Sequence, residues 1–226
     1  MTRTVTVGRL STLVAVIGAI VLGTVGPAQA ATVVASWSMN DTGGTMADSS
    51  GRGHTGTLHN VAVGQPGVSG TAYGFTRKAA YVTVPSSPDF SPGTGNFRFT
   101  LSVRFGAPPS AAVADFDLLR RGLSSTAGGD FKAEILSSGR AFCFYRGSAG
   151  AVSLSAGPNL ADNRWHKITC ARVNQSVVLT VDATSWSKAG QIGSITNSES
   201  VFIGAKNSAG DDQFTGLMDA VSVAKG

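Results

Sequence analysis

Apolar and polar residues alternate along most of the chain after residue 30, and helical spacing is nearly absent. The clearest stretch is residues 97–105, where five large apolar residues occupy every second position. A period of two places neighbouring side chains on opposite faces, so this stretch predicts a β-strand with one buried face. Shorter stretches of the same kind are residues 32–39, 57–63, 80–84, 116–121, 131–136, 141–146, 151–155, 166–173, 177–182, 200–204 and 214–223.

Clusters of glycine, serine, asparagine and aspartate separate these predicted strands, as at residues 42–44, 127–130 and 208–211. About a dozen short strands at intervals of roughly 8–14 residues predict two antiparallel sheets packed as a sandwich or barrel. No linker or internal repeat divides residues 31–226, so we expect one all-β domain over this range.

The first thirty residues have the pattern of a signal peptide. A short segment with Arg3 and Arg9 and no acid precedes an apolar run over residues 10–25, which is shorter than the about 20 residues of a membrane-spanning helix. Ala28 and Ala30 follow at the positions that a leader peptidase accepts, so cleavage is expected after Ala30. We therefore expect a secreted protein with no membrane insertion after cleavage; the alternative is an uncleaved membrane anchor.

Composition excludes several classes of protein. Glycine accounts for 29 of 226 residues, about twice the usual share, and charged residues for 14%, below the usual share of about 25%. These values argue against a coiled coil, a charge-rich helical bundle and a disordered acidic tail. The formal net charge of +5 falls by two, to +3, once the leader is removed. The remaining cations form no basic stripe with interleaved aromatics, so a nucleic-acid partner is not expected.

The two cysteines, Cys143 and Cys170, lie in separate predicted strands. An even pair in an exported protein usually forms a disulfide, and closing a loop of this length contributes roughly 3–4 kcal/mol to stability. The alternative is two free thiols in the core. Two cysteines are too few for a structural zinc site.

Several stretches resemble a known family when they are taken together in their order: WSMND (37–41), DSSGRGHTGTL (48–58), AYVTVP (80–85), WHKI (165–168), FIG (202–204) and FTGLMDAV (214–221). This order is similar to the laminin G-like domains of the concanavalin A-like lectin and glucanase superfamily, especially the secreted bacterial ones. The resemblance covers nearly all of residues 31–226. It implies a jelly-roll sandwich of two antiparallel sheets.

The resemblance also implies one structural Ca²⁺ between the N-terminal loop and the last strand, with Asp219 as the matching carboxylate and Asp48 and the carbonyls of residues 51–53 as further ligands. His54 stands where the family often has asparagine, which weakens this assignment. A carboxylate inside an apolar strand needs a cation, an arginine or backbone N–H groups as partner, so the alternative for Asp219 is a salt bridge or turn hydrogen bond. Asp211 and Asp212 form a second oxygen cluster, although adjacent acids in such a loop are usually solvated.

The same superfamily contains glycoside hydrolases and polysaccharide lyases, so catalysis has to be weighed. Retaining hydrolysis needs two carboxylates about 5–5.5 Å apart. The mature chain has only two glutamates, Glu134 and Glu199, which are far apart in sequence. Asp115 and Asp117 would share a strand face but lack a third partner. The sequence thus gives little support for a hydrolase.

A lyase would need a base and an acid, for which His166 and Tyr145 are candidates. His166 belongs to a segment that the family uses structurally, so packing or surface exposure is the favoured role. We predict a protein without catalytic activity.

Binding is the predicted function. Trp186 follows a predicted strand in polar surroundings, where it can stack on a sugar; the alternative is a plug between the sheets. Arg120 and Arg146, together with Arg121 and Arg164, are predicted at strand ends, where they can bind carboxylate, sulfate or phosphate groups; the alternative is ordinary solubilising surface. We predict a secreted module that binds a glycan or a cell-surface protein. A small polysaccharide-cleaving enzyme and a structural or adhesive envelope protein remain alternatives.

Overall fold

The computed structural model describes residues 31–226, and the predicted signal peptide, residues 1–30, lies outside the described residues. Sixteen strands and one short 3₁₀ turn, Pro88–Phe90, make up the described part of the chain. The first eight strands are β1 Thr32–Trp37, β2 Thr45–Met46, β3 Gly56–His59, β4 Ala62–Pro66, β5 Thr71–Gly74, β6 Tyr81–Val84, β7 Phe97–Arg104 and β8 Asp115–Arg121. The others are β9 Asp130–Leu136, β10 Ala141–Gly147, β11 Gly150–Ala156, β12 His166–Val173, β13 Ser176–Val181, β14 Thr184–Ala189, β15 Val201–Ile203 and β16 Leu217–Lys225.

These strands form two antiparallel sheets. The first sheet has the order β14-β13-β12-β7-β16-β5-β4, with β1 paired to β16. The second sheet has the order β11-β10-β9-β8-β15-β6-β3-β2. The predicted two-sheet jelly-roll sandwich is therefore confirmed. Within the described residues, no helix has the length and apolar character of a membrane span.

The core lies between the sheets and is rich in aromatic residues. Phe97 and Phe99 of the first sheet pack against Phe131 and Tyr145 of the second, with ring centroids between 4.9 and 6.0 Å apart across the two sheets. The strand predicted over residues 97–105 supplies the first two rings. Its period of two places them on the buried face.

The predicted disulfide is confirmed. Cys143 of β10 is bonded to Cys170 of β12, with the two Cα atoms 5.5 Å apart. Because β10 belongs to the second sheet and β12 to the first, this covalent bond crosses the core.

Three parts of the predicted strand pattern need correction. Residues 57–63 form two strands, β3 and β4, in different sheets, because Asn60 between them adopts φ +53° and turns the chain. The short strands β2 and β5 were not predicted. Trp186 lies within strand β14 and not in a loop after a strand end, since Asp182, at φ +53°, forms a tight turn between β13 and β14.

Candidate ligand-binding face

Two phenylalanines lie on the outer face of the second sheet, the face turned away from the core. Cys143 and Tyr145 of β10 are fully buried in the core. Successive strand residues point to opposite faces, so Phe142 and Phe144 point outward, where both are partly exposed. Their ring centroids are 6.4 Å apart and the planes are nearly parallel, at 15°. They form a flat apolar pair, which we call the aromatic platform.

Two cations, Lys132 and Arg120, continue from the aromatic platform across the sheet, and we call them the charged row. Phe144 pairs with Lys132 of β9, Lys132 with Arg120 of β8, and Arg120 with Phe202 of β15. Directly paired residues share a face, so all four lie on the outer face. The Lys132 ammonium is 5.7 and 5.8 Å from the ring centroids of Phe142 and Phe144, within the range of a cation–π contact.

Two buried acids lie beside this row. Glu134 of β9 is directly opposite Asp117 of β8, and their exposed fractions are 3% and 0%. Arg120 Nη1 binds Oδ2 of Asp117 at 2.7 Å, and Lys132 forms an ion pair with Glu134. Burial raises the pKa of Glu134 to about 7, with a further contribution from the negative charge of Asp117. Burial also raises the pKa of Asp117 to about 6, although Arg120 opposes this shift.

The structure brings Asp115 and Asp117 close to Asp212, although almost 100 residues separate them in sequence. The nearest carboxylate oxygens of Asp115, Asp117 and Asp212 lie within 4.8 Å of one another. The main-chain N–H of Asp117 donates to the carbonyl of Asp212 at 2.8 Å, which fixes this approach. Asp211, the neighbour of Asp212, instead accepts a hydrogen bond from Asn207. We call Asp115, Asp117 and Asp212 the aspartate cluster.

The charged row and the aspartate cluster border a groove of about 260 Å³, whose lining includes Lys132, Phe144 and Lys206 as well as Ser124 and Ser125 of the β8–β9 loop. A second depression of about 210 Å³ lies next to it and is lined by Phe202, Asn207 and, again, Arg120 and Lys206. The outer face thus offers apolar rings, cations and hydroxyl groups side by side.

The predicted ligand-binding arginines are found in three different environments. Arg120 lies in the charged row and lines the groove, but it is almost completely buried. Arg146 lies at the rim, where Nε binds Oδ1 of Asp130 at 2.5 Å and Nη2 donates to the carbonyl of Leu123 in the β8–β9 loop at 2.9 Å. Arg121 is 1% exposed, so its predicted place at the surface is wrong.

Trp186 lies apart from these arginines, on the edge strand β14 of the first sheet. It is paired with the buried Leu179 and packs against the core. A Cβ atom placed on Gly157 of the opposite loop would lie 3.2 Å from the ring, so the indole directly covers this glycine. This position corresponds to the plug between the sheets that was the alternative for Trp186.

The hydrogen bonding of Asp219 and Asp48 does not favour the calcium role predicted for them. Asp219 accepts main-chain N–H groups from Val68 at 2.7 Å, Ser69 at 3.2 Å and Ala220 at 2.7 Å. Backbone N–H groups are thus the partners of this buried carboxylate.

Asp48 has a similar environment in the N-terminal loop, where it accepts main-chain N–H groups from Ser36, Ser50 and His54, each at 2.9 Å. Burial opposes ionisation of Asp48, but these hydrogen bonds outweigh burial and lower its pKa. Both oxygens of each carboxylate face N–H donors, a donor set that does not fit a cation.

The residues considered for a lyase are also engaged structurally. His166 binds Asp182 through Nδ1 at 2.9 Å and Asp162 through Nε2 at 3.0 Å. Tyr145 is fully buried and donates its hydroxyl to the carbonyl of Cys170 at 2.9 Å. Both side chains therefore serve the scaffold.

Sequence reasoning missed the aromatic platform. The signal was present, because the disulfide requires Cys143 to point inward and alternation then turns Phe142 and Phe144 outward. Residues 141–145 are apolar throughout, however, so no polar position marks the outer face.

Comparison with known proteins identifies the fold. Residues 118–226 match the laminin G domain. No curated protein sequence matches the chain. The binding domain of Paraclostridial Mosquitocidal Protein 1 has a similar structure, with a TM-score of 0.63 and 14% identity over 85% of this chain and 48% of that chain.

Two further structures show the same likeness. Domain 4 of AbnA, a GH43 extracellular arabinanase from Geobacillus stearothermophilus in complex with arabinotriose, gives a TM-score of 0.63 and 14% identity over 87% of this chain and 93% of that chain. Domains LG4-5 of the mouse laminin alpha1 chain give 0.57 and 15% over 75% of this chain and 46% of that chain. The chain spans about half the length of the mosquitocidal and laminin structures. At these identities the likeness concerns the fold alone.

Proposed function

Because the chain carries a laminin G-like jelly roll of the concanavalin A-like class, we propose that it is an exported module that binds a carbohydrate without cleaving it. The ligand lies on the outer face of the second sheet, across the aromatic platform and the groove. The observation that carries this proposal is the pair Phe142 and Phe144, partly exposed beside Lys132 and Arg120.

The chemistry of this face suits a sugar. A sugar ring has C–H groups on its faces, which pack on aromatic rings, and hydroxyl groups at its edge, which need polar partners. The aromatic platform supplies the rings. Lys132, Lys206, Ser124 and Ser125 supply polar groups within the same groove. A few placed polar groups beside an apolar surface are typical of small-ligand sites.

The neighbours in structure support the class of function. The mosquitocidal protein domain is a binding domain, and the arabinanase domain was solved with arabinotriose. This chain spans most of the arabinanase domain, which makes a single carbohydrate-binding unit a reasonable comparison. Export is also part of the proposal, because the core disulfide requires an oxidising compartment.

Binding to a panel of soluble polysaccharides, measured by calorimetry, tests the proposal. We expect at least one ligand, and we expect F142S and F144S each to weaken its binding about tenfold or more, because each removes an apolar stacking surface. Both side chains point away from the core, so the variants should keep the fold.

Trp186→Phe is the matched control, since it changes an aromatic residue of the other sheet. It should leave the affinity unchanged. Unaltered binding in both phenylalanine variants, or loss of binding in W186F alone, would refute the outer face as the site.

An enzyme is the second candidate, and one observation favours it. Glu134 and Asp117 face each other beside the groove, and both have a pKa near neutrality. Their burial and their ion pairs leave little surface for a substrate, which is why we rank binding first. Release of reducing ends or unsaturated sugars by the wild-type protein, and its loss in E134Q, would establish catalysis and replace our proposal.

The third possibility, an adhesive or structural envelope protein, makes a different prediction. Such a protein would remain with the cell envelope after export and would bind none of the soluble glycans. A module that binds a cell-surface protein would give the same result in the glycan panel. Protease treatment of the envelope would then distinguish the two cases, because it destroys a protein ligand.

A further inference from the structure

A row of hydroxyl groups crosses the outer face of the first sheet, on the other side of the sandwich from the aromatic platform. Direct cross-strand pairs link one residue on each of the strands β1, β16, β7, β12, β13 and β14. These residues are Ser36, Ser222, Thr100, Thr169, Thr180 and Ser185. Their neighbours along the strands, such as Trp37, Phe99 and Cys170, are buried in the core. All six hydroxyls therefore lie on the outer face, and we call them the hydroxyl row.

The hydroxyl row has a regular spacing. Neighbouring strands lie about 4.8 Å apart, so the six residues span about 24 Å. One pyranose residue occupies a similar length in an extended polysaccharide. All six residues are at least partly exposed. The row can therefore meet successive residues of a sugar chain that lies across the strands.

The hydroxyls keep hydrogen-bonding capacity for a ligand. Oγ1 of Thr100 and Oγ1 of Thr169 share a hydrogen bond of 2.9 Å, and Oγ1 of Thr180 and Oγ of Ser185 share one of 2.8 Å. Each such pair uses one of its two O–H donors, so a second donor and several lone pairs remain. A hydroxylated polymer needs both donors and acceptors, and the row offers both.

Two cations flank the hydroxyl row. Arg98 comes two residues before Thr100 on β7, and Lys167 comes two residues before Thr169 on β12. Because β7 and β12 are antiparallel, Arg98 and Lys167 lie on opposite sides of the row. Both side chains are exposed.

The charges of Arg98 and Lys167 are not neutralised by ion pairs among the described residues. The lysines and arginines that do form ion pairs there are Arg52, Arg120, Lys132, Arg146 and Lys206. Asp182 lies near Lys167, but its carboxylate binds His166 and the main-chain N–H of Lys167. The two cations are therefore available to an anionic ligand.

Arg98 and Lys167 line the same depression, which has a volume of about 320 Å³. The other described residues of its lining are Thr100, Thr169, Ser222, Val33 and Ala224. No acid is among these described lining residues, so the depression has a positive potential. Positive clefts attract anions, and the charge-assisted hydrogen bonds that arginine and lysine form with carboxylates are among the stronger ones.

We propose that the outer face of the first sheet binds an acidic polysaccharide, a chain of β-1,4-linked uronic acid residues that lies along the hydroxyl row. Successive residues of such a chain are turned over relative to each other, so their carboxylates project to alternate sides. Arg98 and Lys167 lie on adjacent strands and on opposite sides of the row. This arrangement fits the carboxylates of two consecutive uronic acid residues, while the row binds the hydroxyls of the chain.

This site goes beyond the proposed site on the second sheet, and its ligand is different. Arg120 and Lys132, the cations beside the aromatic platform, already form ion pairs with Asp117 and Glu134. Anionic groups therefore have a better partner on the first sheet. The two sites share no residue, so each can be removed without the other.

Calorimetric titration with polyglucuronate, made by oxidising C6 of cellulose to a carboxylate, tests the proposal. Hydroxyethyl cellulose has the same linkage without the charge and is the matched control ligand. We expect binding of polyglucuronate in about 50 mM NaCl and much weaker binding in about 500 mM NaCl, because salt screens exposed charges. Hydroxyethyl cellulose should bind far more weakly.

Three variants locate the site. R98Q and K167Q should each weaken the binding of polyglucuronate about two- to fivefold, the range for an exposed charge pair, and the double variant about tenfold. T169V keeps the shape and strand preference of the side chain but removes a hydroxyl of the row, and it should weaken binding about two- to tenfold. Circular dichroism will confirm that each variant is folded.

Lys188→Gln is the matched control variant, because it removes one exposed cation from the same sheet. Lys188 is paired with the buried Val177 and so does not share a face with the hydroxyl row. K188Q should bind polyglucuronate like the wild type. F144S, which alters the second sheet, should also leave this binding unchanged.

Four results would overturn the proposal. They are no binding of polyglucuronate at low salt, equal binding of hydroxyethyl cellulose, unaltered binding in the double variant R98Q/K167Q, and loss of binding in F144S. Equally tight binding of dextran sulfate or polyphosphate would also refute it, since the face would then bind any polyanion. Failure here leaves the second-sheet site untouched, because that site is tested with F142S and F144S.

Discussion

The hydroxyl of Tyr145 donates a hydrogen bond of 2.9 Å to the main-chain carbonyl of Cys170, across the interface between the two sheets. Two residues earlier on β10, Cys143 forms a disulfide with the same Cys170 of β12. A covalent bond and a buried hydrogen bond thus hold the two sheets together at one point of the core.

Replacing Tyr145 with phenylalanine should lower the free energy of unfolding by about 1–2 kcal/mol, because the carbonyl of Cys170 loses a buried donor. Urea denaturation of the oxidised protein measures this change. Tyr81→Phe is the control, since the Tyr81 ring packs on His59 and Phe202 and keeps these contacts without its hydroxyl, and it should leave stability nearly unchanged. Equal effects of the two variants would contradict the role given to Tyr145.

Replacing both Cys143 and Cys170 with alanine should lower the free energy of unfolding by about 3–4 kcal/mol, because the unfolded chain regains the entropy of an open loop. Guanidinium denaturation provides the measurement. Reduced wild-type protein should unfold close to the midpoint of the double variant. An unchanged midpoint in both would show that the crosslink contributes nothing to stability.

Replacing Arg121 with lysine should destabilise the fold. Its guanidinium donates to the carbonyls of Glu199 at 2.8 Å and Asn197 at 2.5 Å and to the hydroxyls of Ser91 and Ser86. A lysine ammonium cannot reproduce this planar set of donors, and R121K should lower the free energy of unfolding by about 2–4 kcal/mol.

Arg98→Lys, on an exposed position of β7, is the control and should have no measurable effect. Thermal melting of both variants gives the comparison. If R121K melts with the wild type, the buried hydrogen bonds of Arg121 do not support the fold.

His166 predicts a pH dependence of stability. Burial opposes protonation of the ring, but its hydrogen bonds to Asp182 and Asp162 outweigh burial and raise its pKa. The folded state therefore binds this proton more tightly than the unfolded state. The resulting stabilisation is full below the unfolded pKa of about 6.5 and is lost as pH rises through the higher folded pKa.

Asp182→Asn removes one charged partner while keeping a residue that tolerates the positive φ of this turn. We expect D182N to be less stable than the wild type at about pH 5.5 to 6, where His166 is protonated because the unfolded pKa is about 6.5. The difference should be smaller at about pH 8 to 9, where the ring is neutral. Chemical denaturation across this range will show whether the difference shrinks. A constant difference would exclude the ion pair as its origin.

The sequence predicts the sandwich well because half-buried strands alternate visibly, as in β7. It predicts the disulfide because two cysteines leave only one pairing. It fails at residues 57–63, where one apolar run hides a turn at Asn60. It also fails at Arg120 and Arg121, which look alike in sequence, because the pleat of β8 turns one toward the groove and the other toward buried loops.

The candidate site is harder to predict for a physical reason. The aspartate cluster depends on a contact between residues 115–117 and 212, which only the closed sandwich brings together. The two acidic pairs were noted separately, but their distance in sequence gives no sign that they meet.

Strand β14 was missed because it lacks apolar alternation, and this same property protects the protein. It forms one margin of the first sheet, where unpaired backbone groups invite another chain to add a strand. Five of its six residues are exposed, and Lys188 lies among them. If a second molecule added its own β14 here, its Lys188 would lie near Lys188 of the first molecule, and the two positive charges would repel each other. Strand β14 therefore discourages neighbouring molecules from joining their sheets into aggregates.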